Sequence, residues 1–229
     1  INNNSNIITN KVIRVKEPKK PKDIKCKIQS FTSIDIQYLK QFGITNKFCK
    51  LAKWYSIKHY WIDGELMYTY SNYNPCIGYY FNGRWKLYFY LNKEWRFLSN
   101  TTKNDIQGWN MLPKTGDLLI ITKSFKDVGT LYEQEISSIA PQAESILLPE
   151  NIINDLKLRF KTIYSLMDYD NTGIHLAWTM RKLYNIKPLF FTEGLWKRKQ
   201  GYKGAKDASD YRKLFGKDEL KNLINDNTM

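Results

Sequence analysis

Asp168 and Asp170 are the residues with the clearest potential for chemistry, because they follow a short apolar run and precede Gly173 at the expected start of a helix. Side chains alternate along a strand, so residues two apart share a side wherever the backbone stays extended. Mg²⁺ prefers carboxylate oxygens, with water and phosphate completing its octahedron. The pair predicts a divalent-metal site; the alternative is that one aspartate caps the helix.

A second charged motif, Lys206-Asp207-Ala208-Ser209-Asp210, follows a loop rich in glycine and lysine at residues 196–204. Basic side chains beside acidic ones are typical of a site that holds metal-bridged phosphate. Asp207 or Ser209 would otherwise cap the helix that is predicted through Tyr211 and Leu214. The sequence leaves both interpretations open.

The elements around these motifs alternate between buried strands and helices. Strands are predicted at residues 118–121, 136–140, 163–167 and 188–191, and helices at 125–133, 150–160 and 174–184. This alternation predicts an α/β fold with a mostly parallel sheet flanked by helices on both faces. Ligands of such sheets bind at the carboxyl ends of the strands, where both motifs are expected.

The first part of the chain predicts a smaller α+β subdomain. Apolar spacing across residues 33–57, broken by Gly43, predicts two short helices. The aromatic-rich stretch 60–97 contains Asp63-Gly64 and Asn82-Gly83, which predict antiparallel hairpins. We therefore divide the chain into a basic arm or linker (1–24), this subdomain (25–113) and the parallel-sheet domain with a carboxy-terminal helical extension (114–229).

Composition narrows the class of protein. The chain has 229 residues, 42% of them hydrophobic, with 36 Lys and Arg against 22 Asp and Glu, a net charge of +14. This excludes a peptide-sized scaffold and global disorder, and the excess of basic residues indicates a polyanionic partner such as nucleic acid, unless lysine serves only solubility.

Neither a disulfide framework nor a membrane anchor is expected. The three cysteines lack C-x-x-C spacing, which excludes a four-cysteine zinc ribbon built from them alone. No apolar stretch is long enough to span a membrane, so we expect a soluble, cytoplasmic protein. Because the sequence begins at Ile1, we also expect it to be a piece of a longer protein.

Taken in order, the motifs resemble the TOPRIM domain of bacterial and bacteriophage replicative primases, over roughly residues 116–223. In that family the first strand ends in Glu-Gly-x-x-Asp, a later strand ends in Asp-x-Asp-x-x-Gly, and primases add Lys-Asp-x-x-Asp/Glu. The matching residues are Asp168, Asp170 and Gly173 for the second motif and Lys206, Asp207 and Asp210 for the third. More weakly, Phe42-Gly43-Ile44 and the hairpins of residues 77–97 resemble the subdomain that precedes TOPRIM in primase cores.

The resemblance implies a phage-type primase core without its zinc ribbon, which makes short RNA primers from ribonucleotides on a single-stranded DNA template with Mg²⁺ or Mn²⁺. It implies a replicative helicase and a zinc-ribbon domain, in cis or in trans, as partners. The implied metal ligands are Asp168, Asp170, Asp207 and Asp210, and the implied catalytic residues are Asp168, Asp170 and Asp207. Glu144, just beyond the second predicted strand, is added to the catalytic candidates as a substitute carboxylate. Implied phosphate contacts are Lys123, Lys126 and Lys206; implied template contacts are Arg84, Lys86, Lys93, Arg96 and Lys103, with Trp85 or Trp95 as stacking surfaces or core residues.

Lys123 departs from the family pattern. It stands where the first motif has glutamate, whereas the aspartate of that motif is present as Asp127. In the family the glutamate is a metal ligand or general acid–base, and an ammonium group repels Mg²⁺. Glu144 either restores a carboxylate to this edge or is an ordinary solvated glutamate. Asp127 either acts as the acid of the motif or stabilises the helix dipole.

Two rivals to a working primase follow from this departure. One is a nucleic-acid-binding module, a TOPRIM-like domain that holds single-stranded template or replication partners without catalysis. The other is a metal-dependent nuclease of the OLD type on the same scaffold. The hairpin subdomain and the Lys-Asp-x-x-Asp element favour a primase, and retention of Asp168, Asp170 and Asp207 argues against lost catalysis.

Overall fold

Two β-sheets and the helices packed on them make up the protein. The structure is a computed structural model that describes residues 22–143, 146–190 and 204–228. In the first half, antiparallel strands lie in the order β1-β2-β4-β5-β6, with β3 paired to β2. These strands are β1 (Ile24–Gln29), β2 (Trp54–Ile62), β3 (Glu65–Thr69), β4 (Ile77–Phe81), β5 (Arg84–Tyr88) and β6 (Phe97–Ser99).

Both predicted hairpin turns are present. Asp63 and Gly64 join β2 to β3 with φ angles of 52° and 91°, and Asn82 and Gly83 join β4 to β5 with φ angles of 44° and 90°. Two consecutive positive φ angles define the type I′ turn, whose twist matches that of a hairpin and which favours Asn, Asp and Gly. The two turns and the strands that they join therefore confirm the predicted antiparallel subdomain.

The two predicted helices are confirmed, with one correction. They are α1 (Ser33–Lys40), which opens with a capping box between Thr32 and Asp35, and α2 (Asn46–Leu51). Trp54, which lies in the stretch 33–57 whose apolar spacing predicted the two helices, begins β2 instead. The sequence pattern also missed β1, which pairs with β2 immediately after the predicted arm. Residues 1–21 of that arm lie outside the described residues.

The second half contains the predicted parallel sheet. Its strands are β7 (Gly116–Thr122), β8 (Ser138–Ile139), β9 (Phe160–Leu166) and β10 (Lys187–Pro188), all parallel, in the order β10-β9-β7-β8. The helices are α3 (Phe125–Tyr132), α4 (Glu150–Arg159), α5 (Asn171–Tyr184), α6 (Ala208–Phe215) and α7 (Lys217–Thr228), and a 3₁₀ turn covers Trp109–Met111. The α/β class is confirmed, and each predicted strand and helix is present within a few residues.

Alternate side chains of β7 enter different cores. Leu119 and Ile121 are buried with residues of α4 and α5, whereas Ile120 is buried with residues of α6 and α7. Because neighbouring strand residues point to opposite faces, this division means that helices cover both faces of the sheet. No helix in the described ranges is both long and apolar enough to cross a lipid bilayer.

Helix α3 joins the two sheets. Phe125 of α3 is buried, and its ring lies 5.0 Å from that of Trp54 and 5.3 Å from that of Tyr79, both in the antiparallel sheet. Gly129 permits the close approach, because a β-carbon there would lie 2.8 Å from the ring of Phe48. One apolar core therefore spans the boundary that the sequence suggested at residues 113 and 114.

Candidate functional site

Lysines from two different segments meet a buried aspartate at the carboxyl end of the parallel sheet. Lys123 directly follows β7 and Asp168 lies two residues beyond β9, and these strands are neighbours. The Nζ atom of Lys123 donates to Oδ2 of Asp168, and the Nζ atom of Lys206 lies 2.9 Å from the same oxygen. The Asp168 side chain is fully buried. The structure thus brings together three of the predicted site residues.

Asp170 caps the next helix. Its Oδ1 atom accepts a hydrogen bond of 3.0 Å from the amide of Gly173 in the first turn of α5. A β-carbon on residue 173 would lie 2.1 Å from the carbonyl oxygen of Asp168. Local structure therefore explains the Asp-x-Asp-x-x-Gly spacing. The backbone of Asp168 leaves no room for a side chain at residue 173, and Asp170 caps the helix that follows it. The helix-cap interpretation is confirmed for Asp170, and its role as a metal ligand stays a prediction.

Asp207 caps α6 in the same way and also pairs with a lysine. Its Oδ1 atom accepts from the amide of Asp210 at 2.7 Å, while Oδ2 lies 3.7 Å from Nζ of Lys126. Burial alone lowers the pKa of Lys126, but the carboxylates of Asp207, Asp127 and Asp210 outweigh it and raise that pKa to about 12. Burial and then the charge of Asp207 raise the pKa of Asp210. Lys126 is therefore a firmly charged ammonium group at this edge.

Asp127, the retained acid of the first motif, is a buried link between two helices. Its Oδ2 atom accepts from Oγ of Ser124 at 2.6 Å, and its Oδ1 atom accepts from the amide and Oγ of Ser209 at 3.1 and 2.5 Å. Burial and then the carboxylate of Asp207 raise the pKa of Asp127 to about 7, against the opposing effect of Lys126 and the serine hydrogen bonds. Asp127 therefore ties α3 to α6.

A cleft of about 210 Å³ lies between the strand-end site and the antiparallel sheet. Its described lining contains five basic side chains and two acidic ones: Lys86, Arg96, Lys123, Lys126, Lys206, Asp207 and Asp210. The cleft therefore presents more positive than negative charge. All three predicted phosphate-binding lysines line it.

The predicted template residues divide between the cleft and other surfaces. Lys86 and Arg96 line the cleft, whereas Arg84 forms a two-pronged pair with the buried Asp105, at 2.7 and 2.6 Å. Lys93 and Lys103 are exposed outside the cleft lining. Binding of template by any of them stays a prediction.

Lys86 is a buried lysine on the cleft wall. Its Nζ atom donates to the backbone carbonyl of Gln142 and lies 4.9 Å from the centre of the Phe97 ring. Burial lowers the pKa of Lys86 to about 8. Its charge therefore changes within an accessible pH range.

The sequence analysis missed two aromatic residues on the wall that the antiparallel sheet contributes to the cleft. Tyr88 and Phe97 are direct partners on β5 and β6, their rings stack with centres 4.8 Å apart, and both line the cleft. The available signal was strand alternation, because Tyr88 lies two residues from Lys86 and shares its side of β5. Of the two predicted stacking tryptophans, Trp85 packs against Tyr80 at 5.0 Å and Trp95 against Phe89 at 4.7 Å.

The described acidic residues do not fit a divalent metal ion. In the described part of the chain, no group of three His, Cys, Asp or Glu side chains is arranged so that it could hold a metal ion. Asp168 already pairs with two ammonium groups and Asp207 with one, and these cations oppose the approach of Mg²⁺. Glu144, the predicted substitute carboxylate, lies outside the described residues.

Sequence comparisons find no matching protein family and no matching curated protein. Solved structures do match. The catalytic domain of DnaG primase bound to single-stranded DNA aligns with a TM-score of 0.62 at 11% identity, over 86% of this chain and 75% of that one. The primase fragment of the bacteriophage T7 primase-helicase protein aligns with a TM-score of 0.55 at 12% identity, over 89% and 76%.

The zinc-binding and RNA polymerase domains of the Aquifex aeolicus primase align with a TM-score of 0.59 at 16% identity, over 85% of this chain. This chain spans 56% of the length of that structure. At these identities the likeness establishes the fold, which is the one that the sequence motifs resemble. The protein therefore has the fold of a primase catalytic core.

Proposed function

We propose that this chain binds single-stranded nucleic acid in the cleft, as a primase-type core in which lysine has replaced the first acid of the strand-end site. The observation that carries the proposal is the contact of both Lys123 and Lys206 with Asp168. This arrangement turns an edge that would attract metal ions into one that attracts phosphate. It favours the binding-module interpretation over catalysis.

Lys206 keeps hydrogen-bonding capacity for a ligand. Its ammonium group has three N–H donors, and the contact with Asp168 uses one of them. The side chains of Lys123 and Lys206 are 19% and 38% exposed, so both reach solvent from this edge. Lysines that neutralise nucleic-acid phosphates release the cations condensed on that nucleic acid, which supplies affinity without sequence preference.

The opposite wall offers a different kind of contact. The half-exposed Phe97 begins β6 of the antiparallel sheet, Arg96 directly precedes it, and both line the same cleft as the lysines. Proteins that bind single strands combine a positive groove for the backbone with aromatic rings for the bases. A strand between the two walls would meet both. The DnaG catalytic domain that shares this fold is itself bound to single-stranded DNA.

Primer synthesis is the second candidate. Asp207 and Asp210 line the cleft and Asp168 lies at its edge, in the order that the primase motifs imply. As a nucleotidyltransferase the chain would join ribonucleotides on a template, and the predicted Mg²⁺ or Mn²⁺ belongs to this candidate. A replicative helicase and a zinc-ribbon domain would then be its partners.

The test measures binding and synthesis on the same preparation of the full chain. Fluorescence anisotropy with a labelled strand of about 12 nucleotides is expected to show binding that weakens steeply with salt. Lys206→Ala and Arg96→Ala are expected to reduce the affinity for the strand. The control is Lys157→Ala, which changes an exposed lysine of α4 at the other edge of the sheet. Its affinity is expected to match that of the wild type.

Equal losses in all three variants, or no binding at low salt, would refute the proposal. Labelled ribonucleotides, template and Mg²⁺ or Mn²⁺ are then added, with the zinc-ribbon domain of a primase supplied in trans. Short template-dependent products would establish the second candidate, and a cleaved template would indicate a nuclease.

A further inference from the structure

Two basic residues of α6 lie outside the cleft lining, near the end of α1. Arg212 and Lys213 occupy the last turn of α6. A β-carbon on Gly43 would stand 3.2 Å from Nε and 3.3 Å from Nη2 of Arg212. The backbone of Gly43 also has a φ angle of 71°, which favours glycine. The guanidinium group of Arg212 therefore lies in a space that a side chain at residue 43 would fill.

Among the described residues, the charge of Arg212 has no counterion. Within those ranges its Nε atom is buried without a hydrogen-bond partner, and neither Arg212 nor Lys213 forms an ion pair. Arginine stays charged at any ordinary pH, and its planar fork of N–H donors fits the oxygens of a phosphate. Arg212 is partly exposed and Lys213 is exposed, so an anion can approach both from solution. The pair is therefore suited to a phosphate group.

The ring of Phe42 connects this pair to the cleft. The Nζ atom of Lys213 lies 5.8 Å from the centre of that ring, and the Nζ atom of Lys126, which lines the cleft, lies 4.3 Å from it. Asp210 also lines the cleft and lies three residues before Lys213, so the two share one face of α6. A strand that leaves the cleft past Lys126 would therefore meet the pair next.

The carboxylates at this end of the cleft do not cancel the charge of the pair. Asp207 already pairs with Lys126 at 3.7 Å and accepts a hydrogen bond from the amide of Asp210. The three cations Lys126, Arg212 and Lys213 exceed Asp207 and Asp210 by one positive unit. The excess lies on the side of α6 that faces Phe42, where an anionic ligand would be attracted.

We propose that Arg212 and Lys213 form a second phosphate-binding site, which holds the backbone of a single strand where it leaves the cleft past Lys126. The identity of the ligand rests on the proposed function, because the strand that reaches this site is the one that the cleft binds. A strand held at two places gains affinity, since its second contact is intramolecular. Strands long enough to reach the second site therefore bind more tightly than strands confined to the cleft.

The first test compares two double variants of the full chain that carry the same substitutions on different helices. Arg212→Gln with Lys213→Gln removes the proposed site. Arg181→Gln with Lys182→Gln removes the same Arg-Lys pair from the last turn of α5, so the loss of positive charge at a helix end is matched. With a labelled single strand of about 16 nucleotides, fluorescence anisotropy is expected to show binding at least about threefold weaker in the α6 variant and unchanged in the α5 variant.

Salt dependence separates a phosphate contact from a structural role. Each phosphate that a protein neutralises on a single strand adds about 0.7 to the slope of log affinity against log salt concentration. The α6 double variant is expected to lose about 0.7 or more from this slope, whereas a variant that only loosened the fold would keep it. Arg212→Lys retains the charge and is expected to retain the slope. With a strand of about 6 nucleotides, which the cleft holds alone, the wild type and the α6 variant are expected to agree within about twofold.

Failure of this inference differs from failure of the proposed function. If the α6 variant matches the wild type in affinity and slope, or if the α5 and α6 variants lose equally, the second site is refuted while the cleft variants still test the cleft. If the wild type binds no strand of any length, both proposals are refuted. If circular dichroism shows that the α6 double variant does not fold, Lys213→Gln is compared with Lys182→Gln, both at exposed positions. An unchanged slope in Lys213→Gln then overturns the inference.

Discussion

Gly173 lies directly against the backbone of Asp168, so close that a β-carbon on residue 173 would stand 2.1 Å from the carbonyl oxygen of Asp168 and 2.8 Å from its nitrogen. This contact lies in the turn between β9 and α5. It fixes the position of the Asp168 backbone, from which the buried carboxylate extends. Positioning of Asp168 therefore depends on a residue that contributes no side chain.

Gly173→Ala is expected to destabilise the protein by about 1–3 kcal/mol or more, because backbone atoms must move to admit the methyl group. Urea denaturation followed by circular dichroism measures the change. Thr172→Ala, at the exposed neighbouring position, is the matched control and is expected to change stability far less. Equal stability of Gly173→Ala and the wild type would show that the turn tolerates a β-carbon.

Asp127 makes the stability depend on pH in an unusual direction. Its pKa is about 7 in the folded protein, above the ordinary value near 4, because of burial and the neighbouring Asp207. The folded state therefore binds more protons than the unfolded state between these values, so the free energy of unfolding falls as pH rises from about 4 to about 7.

Asp127→Asn removes this titration and retains hydrogen-bonding groups toward Ser124 and Ser209. We expect its unfolding free energy to lose less than that of the wild type between pH 5 and pH 8, by on the order of 1 kcal/mol or more. Denaturant unfolding at a series of pH values measures both profiles. Parallel profiles would assign the titration to another group, such as Asp210, whose pKa is raised as well.

Lys86 gives strand binding a pH dependence of its own. Burial lowers its pKa to about 8, so this cleft residue loses its charge at a pH where exposed lysines keep theirs. We expect affinity for single-stranded DNA to fall about two- to fivefold between pH 7 and pH 9 at constant ionic strength, as one phosphate contact is lost.

Lys86→Met replaces the lysine with an unbranched, uncharged side chain one atom shorter, and it is expected to bind more weakly at pH 7, with a flatter pH profile. Fluorescence anisotropy across this range measures the effect. If Lys86→Met retains the full wild-type decline, the titrating group lies elsewhere.

Phe125 is expected to couple the two halves of the molecule during unfolding. Phe125→Ala removes a buried ring through which α3 packs on the antiparallel sheet, and it is expected to cost about 3–5 kcal/mol. Because the core is shared, the wild type should unfold in one transition when tryptophan fluorescence and circular dichroism are compared. Separate midpoints in the wild type would instead mean that residues 25–113 and 114–229 are independent units.

Turn chemistry and apolar runs explain why much of the fold was predictable. Asp63-Gly64 and Asn82-Gly83 are required by a local backbone geometry, so a dipeptide was enough to place two hairpins. β1 was missed because lysines alternate along it at the edge of the sheet, beside a basic stretch that looks like a linker. Trp54 was misplaced because apolar residues in a short segment fit both helical and strand spacing.

The sequence predicted which residues belong to the candidate site, but it did not predict which of them contact one another. The motifs placed Lys123 and Asp168 at strand ends, but their contact depends on β7 and β9 being neighbours, across 45 residues of sequence. The assignment of carboxylates to metal did not anticipate that a lysine would reach one of them. Phe97 and Tyr88 line the cleft side by side because the register of β5 and β6 pairs them, and the sequence did not specify that register.

Helix α3 belongs to both walls of the cleft. Phe125 and Gly129 pack α3 in the core beneath the antiparallel sheet, while Asp127 accepts hydrogen bonds from Ser209 of α6 beside the strand-end site. Within the described residues, a single eight-residue helix thus connects the two walls. Moving one wall away from the other would require α3 to break its contacts with one of them, so the width of the cleft is coupled to the stability of the fold.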